Sequence, residues 1–254
     1  MQLSLANRTA LITGGSKGLG LAMARAFTEA GGKVAIVARG EADLREAASA
    51  TGAVPVRADI ATAEGCETAF REAAAALGRI DILVNNAGTS QRGAFPSVSD
   101  ALWQQDLDLK LFAAIRLSRL AWAGMAERRW GRIINVLNTG AKAPPAEGAP
   151  TAVSRAAGMA LTKVMANEGA PHGILVNALL VGIIESDQWV RRHAADPRGL
   201  SFEEWKQEAG RPVPLGRIGR AEEFAATALF LASEAGSYVA GTAINVDGGR
   251  SPVV

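Results

Sequence analysis

Between residues 13 and 20 the chain reads Thr13-Gly-Gly-Ser-Lys-Gly-Leu-Gly20. Glycines at this spacing, after an apolar run and before a helix-forming run, suit a phosphate cradle. Gly14 fits a tight turn, Gly18 lets the backbone close on a pyrophosphate, and Gly20 lets a helix pack tightly on a strand. The backbone N–H groups from Ser16 to Leu19, at the positive end of the helix dipole, would face the phosphates. An acid at the end of the next strand would bond an adenosine 2′-hydroxyl and repel a 2′-phosphate. That place holds Ala38-Arg39, and Lys17 lies in the turn itself. Two cations there favour a phosphate, so NADP is the expected cofactor ahead of NAD.

Such a cradle sits at the carboxyl end of a strand, so the rest of the chain must supply a sheet. Short β-branched runs alternate with Ala-rich ones. The pattern predicts strands at 9–13, 33–38, 54–57, 80–85, 132–137, 175–180 and 242–246. It predicts helices at 19–30, 41–50, 63–77, 100–128 (one or two), 151–170 and 221–233, with Gly31-Gly32, Gly78 and Pro171 as stops. This rhythm argues for a single α/β domain spanning 1–254, a Rossmann-type doubly wound parallel sheet with helices on both faces. One stretch, 186–219, reads as irregular and contains Trp189, Trp205, Pro212 and Pro214. Irregular segments of that length commonly cover a site, so a substrate lid is expected there, its tryptophans serving as pocket walls or as packing anchors.

Composition narrows the classes. Of 254 residues 48% are hydrophobic, enough for a sizeable core. A net charge of +2 gives no reason to expect nucleic acid as a partner. Cys66 is the one cysteine, so no internal disulfide can form, and inert packing is its expected role. The first residues lack a charged segment followed by an apolar run and a cleavage site, and no stretch approaches a membrane span. A cytoplasmic protein without a membrane partner is the expectation.

Thr13–Gly20, Asn85-Asn-Ala-Gly88, Pro214-Leu-Gly-Arg217 and Asp247-Gly-Gly249 recur at a spacing similar to that of the classical short-chain dehydrogenase/reductase family. The resemblance covers almost the whole chain. It implies a parallel sheet of about seven strands, a nicotinamide cofactor, a small-molecule substrate and a homo-oligomer, tetramer or dimer. It further implies that Asp59 and Ile60 meet the adenine, that Asn85, Asn86, Ala87 and Gly88 line the cofactor ribose, and that Gly182 and Ser186 stand near the nicotinamide amide. Val181 replaces the proline, and Ser186 the threonine, that the family has in that last segment.

The family's Asn, Ser, Tyr and Lys are all replaced. Seven residues after Trp103 stands Lys110 in place of Asn. Asn138 holds the Ser position, Thr151 the Tyr position thirteen residues on, and Arg155 the Lys position four beyond that. A threonine hydroxyl does not ionise near neutral pH, and an arginine does not give up its proton. Arg155 can still donate to the nicotinamide ribose, and Asn138 can polarise a carbonyl. Lys110 is the first candidate for the missing proton donor, because Arg155 and an oxidised nicotinamide would both disfavour its charge; the bland alternative is that it only bonds backbone carbonyls. Lys142, Glu147, Glu185, His172 and His193 are weaker candidates. Lys110 and Arg155, facing one pocket, would suit an anionic substrate. The resulting expectation is an NADP-dependent oxidoreductase of a carbonyl/alcohol pair with a non-standard proton donor. The alternatives are a lyase or isomerase on the same fold, or a catalytically silent NADP-binding protein.

Overall fold

Runs such as Ala10–Thr13 and Val34–Val37 are apolar without alternation because both faces of their strands are covered. The structure is a computed structural model describing residues 3–254, apart from the side chains at 187, 188, 191 and 192. In chain order the elements are β1 (Thr9–Thr13), α1 (Gly18–Glu29), β2 (Lys33–Ala38), α2 (Glu41–Thr51), β3 (Val54–Arg57), α3 (Ala63–Leu77), β4 (Ile82–Asn85) and β5 (Arg92–Gly93). There follow α4 (Asp100–Leu107), α5 (Ala113–Glu127), β6 (Gly131–Asn138), β7 (Ala149–Pro150), α6 (Thr151–Gly169) and β8 (Ile174–Val181). The chain ends with α7 (Asp187–Ala194), α8 (Phe202–Gly210), α9 (Ala221–Ala232) and β9 (Ala243–Val246).

Seven strands make one sheet in the order β3-β2-β1-β4-β6-β8-β9, each pair parallel. Successive strands travel outward from β1 to β3, then restart beside β1 at β4 and travel the other way. The reversal lies between β1 and β4, and the loops that leave their carboxyl ends part to form a crevice. Alternate strand residues feed two cores. Ala10, Ile12, Ile36 and Val84 pack under α1, α2 and α9, with Phe27 and Phe224 fully enclosed. Leu11, Val37, Leu83 and Ile133 face α3, α5 and α6.

The predicted elements form, with one correction. The stretch 186–219 is not irregular: it holds α7 and α8. A capping box between Ser201 and Glu204 starts α8, and Trp189, His193, Phe202 and Trp205 pack their rings together. Both ends of the excursion are pinned at one place, since Glu185 N–H donates to Gly219 O (2.9 Å) and Gly219 N–H to Ile183 O (2.9 Å). The helical stretch 100–128, expected as one helix or two, is two, α4 and α5, joined by a wide π-helical turn, Asp108–Phe112, which contains Lys110. A short antiparallel pair, β5 with β7, was not foreseen; it sets Arg92 opposite Pro150, next to Thr151. Among the described residues no helix is long and apolar enough to cross a membrane.

Candidate active site

At the end of β1 the chain turns with Gly14 at φ +65°. A side chain on Gly20 would overlap the Gly14 carbonyl oxygen, so the helix can start this close to the turn only with glycine there. Thr13 and Asn86 strap the turn. Asn86 Nδ2 donates to Thr13 O (2.8 Å) and Gly14 O (3.2 Å), and Thr13 Oγ1 accepts from the N–H groups of Asn86 (2.9 Å) and Ala87 (3.0 Å). At the start of α1, Lys17 provides no side-chain cap and the first turn has no acid. The first N–H groups and the positive helix end are therefore open to an anion.

Gly14, Ser16, Lys17, Gly18, Leu19 and Gly20 line one end of a cleft of about 630 Å³. Asn86, Ala87 and Gly88 form its middle, and Asn138, Thr151, Arg155, Gly182 and Ser186 its far end. Arg39, Asp59 and Ile60 lie outside this lining. Arg39 reaches Asp59 at 3.8 Å, and Lys17 reaches Asp43 at 2.8 Å. Asn85 is a correction to the ribose-lining expectation. It is buried behind the cleft, where its Nδ2 donates to Asn135 Oδ1 (2.9 Å) and Ser118 Oγ (3.4 Å), while the next residue faces the turn.

Lys110, Asn138, Thr151 and Arg155, the four residues expected from the sequence to stand in the catalytic places, are brought to one place, but not in equivalent roles. Asn138, the last residue of β6, lines the cleft with its Oδ1 buried and unpartnered. Arg155 is almost fully buried. It donates to Val136 O (2.8 Å), and its Nε has no partner. Its guanidinium lies against Gly88, where a Cβ would overlap it. Burial pushes Arg155 down to about 10, the Asp106 charge resisting, so it remains a cation at neutral pH.

Lys110 does not line the cleft; its side chain is completely buried. This corrects the expectation that it faces the pocket, and the reason is a carboxylate behind the wall. Lys110 Nζ pairs with Asp106, one helical turn earlier, and donates to Thr151 Oγ1 at 2.7 Å. Asp106 also accepts from Ser154 Oγ (2.5 Å) and lies 3.3 Å from Thr151 Oγ1. Thr151 Oγ1 accepts further from Gln91 N–H (3.1 Å) and donates to Gln91 O (2.7 Å). Both lone pairs and the single proton of this hydroxyl are thus engaged. Burial, then the Arg155 charge, pushes Lys110 down to about 8, against the pull of Asp106. Asp106 and Ser154 were missed from the sequence, although the i, i+4 spacing of Asp106 and Lys110 on a helix was a readable signal.

The weaker candidates lie elsewhere. Lys142 is tied to Ala243 O (2.8 Å), and Glu185 to Lys206 (3.8 Å). Glu147 and His172 are exposed, and Tyr238 is wholly so. His193 belongs to the aromatic cluster of α7 and α8, its Nε2 2.8 Å from Leu200 O. The two tryptophans divide: Trp189 lines the cleft and Trp205 is buried packing.

A family model described as enoyl-(acyl carrier protein) reductase matches residues 14–251. The chain is 37% identical over 257 residues to a putative ketoacyl reductase of the monensin polyketide synthase from Streptomyces virginiae, covering 96% of this chain and 97% of that one. L-Sorbose reductase from Gluconobacter frateurii, solved with NADPH and L-sorbose, is similar with a TM-score of 0.94 and 32% identity, covering 100% of both chains. An NADPH-bound short chain oxidoreductase from Pseudomonas aeruginosa PAO1, described as containing an atypical catalytic center, gives a TM-score of 0.91 and 35% identity over 99% of both chains.

Proposed function

Because the chain belongs to the short-chain dehydrogenase/reductase family, NAD(P)-dependent oxidoreductases of carbonyl/alcohol pairs, we propose that it uses NADP in preference to NAD and moves the proton with Lys110, Thr151, Asn138 and Arg155. The glycine cradle, closed to any side chain at Gly20, and the uncapped start of α1 fit a pyrophosphate. Gly14 to Gly20 would hold it, with Lys17 and Arg39 at an adenosine 2′-phosphate. Asp59 and Ile60 would meet the adenine, Asn86 to Gly88 and Arg155 the riboses, and Gly182 and Ser186 the carboxamide. When bound, the nicotinamide supplies or accepts the hydride.

The chain's own part is charge and proton. Asn138 and Arg155, each with an unpartnered polar atom at or beside the far end of the cleft, would carry the negative charge that grows on a carbonyl oxygen during reduction. Lys110 stands one hydroxyl behind the wall. Turning the Thr151 O–H from Gln91 O toward the cleft would pass that proton to the alkoxide while Thr151 Oγ1 takes one from Lys110 Nζ. The observation that carries this reading is the 2.7 Å bond between Lys110 Nζ and Thr151 Oγ1. α7 and α8 would serve as the substrate lid over 186–219, hung from the Ile184 and Gly219 junction. The exposed apolar residues Phe112, Leu120, Val153 and Val164 support assembly as a tetramer or dimer, and a cytoplasmic location is part of the same reading. The cations of the cleft favour an anionic substrate.

The test is the pH profile of NADPH-dependent carbonyl reduction over a ketone panel. With Lys110 as the proton source, kcat falls as pH rises through about 8, where Lys110 loses its proton. Lys110→Met lowers kcat and removes that limb. Identical profiles for the two proteins would remove Lys110 from the mechanism.

A further inference from the structure

The cleft is electrically lopsided. At its dinucleotide end the lining cation Lys17 has an acid partner, Asp43, and just outside the lining Arg39 has Asp59. At its far end the lining includes Arg92, Arg155 and Arg250 and, among the described residues, no carboxylate at all. Arg92 and Arg250 have neither an ion pair nor a side-chain hydrogen bond among the described residues. Each is placed by structure rather than by chance of the surface. Arg92 is registered on Pro150 by the short β5–β7 pair, so it stands beside Thr151. Arg250 follows the turn in which Asp247 accepts from the N–H groups of Gly249 (3.0 Å) and Ser251 (2.7 Å). That turn packs against Gly182, whose Cβ would overlap Asp247.

We propose that Arg92 and Arg250 form an anion site for the substrate. The protein would then act on carbonyl compounds that carry a carboxylate or phosphate away from the reacting carbon. This deepens the reading above and rests on it: Arg155 and Asn138 take the carbonyl oxygen, and the two rim arginines take the distal anion. A guanidinium offers paired donors matched to either anion. A cleft end of one charge sign, walled by apolar groups such as Pro145 and Trp189, concentrates anions before they bind. The charge that the sequence assigned to Lys110 and Arg155 is thus supplied by different residues, since Lys110 spends its charge on Asp106.

The experiment is calorimetric binding to the NADP⁺-loaded protein, where no turnover can occur. Acetoacetate is compared with its methyl ester, and dihydroxyacetone phosphate with dihydroxyacetone. The charged member of at least one pair binds at least about tenfold tighter, as expected for one charge-assisted contact. Arg92→Ala and Arg250→Ala each bring that ratio toward one. The carboxylate and phosphate arms tell the two anions apart. Equal affinity for the charged and neutral members of both pairs overturns the proposal, as does a ratio that neither variant alters. So does a loss of NADPH affinity in Arg250→Ala equal to its loss of anion affinity, which would assign that arginine to the cofactor. Binding is read without turnover, so failure of the anion site is distinguishable from failure of the reductase reading, which the ketone panel tests.

Discussion

Removing Lys110 should cost stability, and the cost should grow with pH. Lys110 and Asp106 are buried together with no exposed side-chain surface. Deleting one partner of such a pair leaves the other charge uncompensated, at about 3–5 kcal/mol. Asp106 keeps Ser154 as a donor at 2.5 Å, so Lys110→Met belongs at the lower end, about 3 kcal/mol at pH 7. The pH dependence has a definite sign. The folded protein holds Lys110 at about 8, below its ordinary 10.5. Between those values the unfolded chain binds a proton that the folded chain does not, so the titration of Lys110 adds stability as pH rises. At about 1.4 kcal/mol per pH unit the gain is about 3 kcal/mol by pH 10.5. Lys110→Met lacks this titration, so its deficit relative to wild type widens as pH rises through that window. Urea unfolding followed by tryptophan fluorescence at pH 7 and pH 10 measures it. Comparing the two proteins cancels other groups that titrate in that range. A deficit that stays flat or shrinks as pH rises would refute the reasoning. If the single variant does not fold, Asp106→Leu with Lys110→Met removes both charges and should return within about 1–2 kcal/mol of wild type; a double variant as unstable as either single one would equally sink the argument.

Three further outcomes follow from the same geometry. Gly20→Ala drives a methyl group into the Gly14 carbonyl and should weaken NADPH binding by more than about tenfold, read by nucleotide fluorescence; unchanged affinity would mean that the cradle does not hold the pyrophosphate. Arg39→Asp should lower NADPH affinity about 10–100-fold, the worth of a charged hydrogen bond, and raise NADH affinity, so that the ratio of dissociation constants reverses; an unmoved ratio would take Arg39 out of cofactor selection. Cys66 is buried, and burial pushes its thiol up to about 11 from 9.0. An acid held neutral by the fold takes stability away as pH rises past its unfolded value, opposite in sign to the contribution of Lys110, so the stability of Cys66→Ala relative to wild type should rise between about pH 9 and 11. Native protein should also react with a disulfide reagent at pH 8 only as fast as it unfolds; rapid modification would place the thiol at the surface.

The sheet was legible because its strands carry the signal themselves. Ala10–Ile12 within Thr9–Thr13 and Val34–Ala38 within Lys33–Ala38 are unbroken apolar runs, and both strands begin and end where the pattern predicts. Helices on both faces follow from strands buried on both faces. The stretch 186–219 was not legible for the opposite reason. α7 is polar overall and only eight residues long, so its one apolar side is too short to stand out as a helical pattern. What makes it regular is tertiary: Trp189 and His193 of α7 find Phe202 and Trp205 of α8. The two-residue strands β5 and β7 carry no periodicity at all, yet they set Arg92 beside the site.

In the site, sequence order identified residues that share a place but not the direction in which they point. Lys110 turns its ammonium toward Asp106 and away from the cleft, while Thr151, in the cleft lining, engages its hydroxyl with Lys110 and Gln91. That orientation is set by a buried carboxylate on the preceding turn, whose pull on an ammonium exceeds anything the cleft wall offers it. Nothing local sets Asp106 apart from other helix acids; its place is made by α6, which brings Thr151 and Ser154 over it. Without Asp106, Lys110 and Arg155 would be two like charges with no neutralising group between them, and one would have to leave or lose its proton. The carboxylate therefore permits a lysine and an arginine to occupy neighbouring positions in one family site. It divides their work: the arginine stays at the cleft as a fixed cation, and the lysine is held back as a group that can titrate.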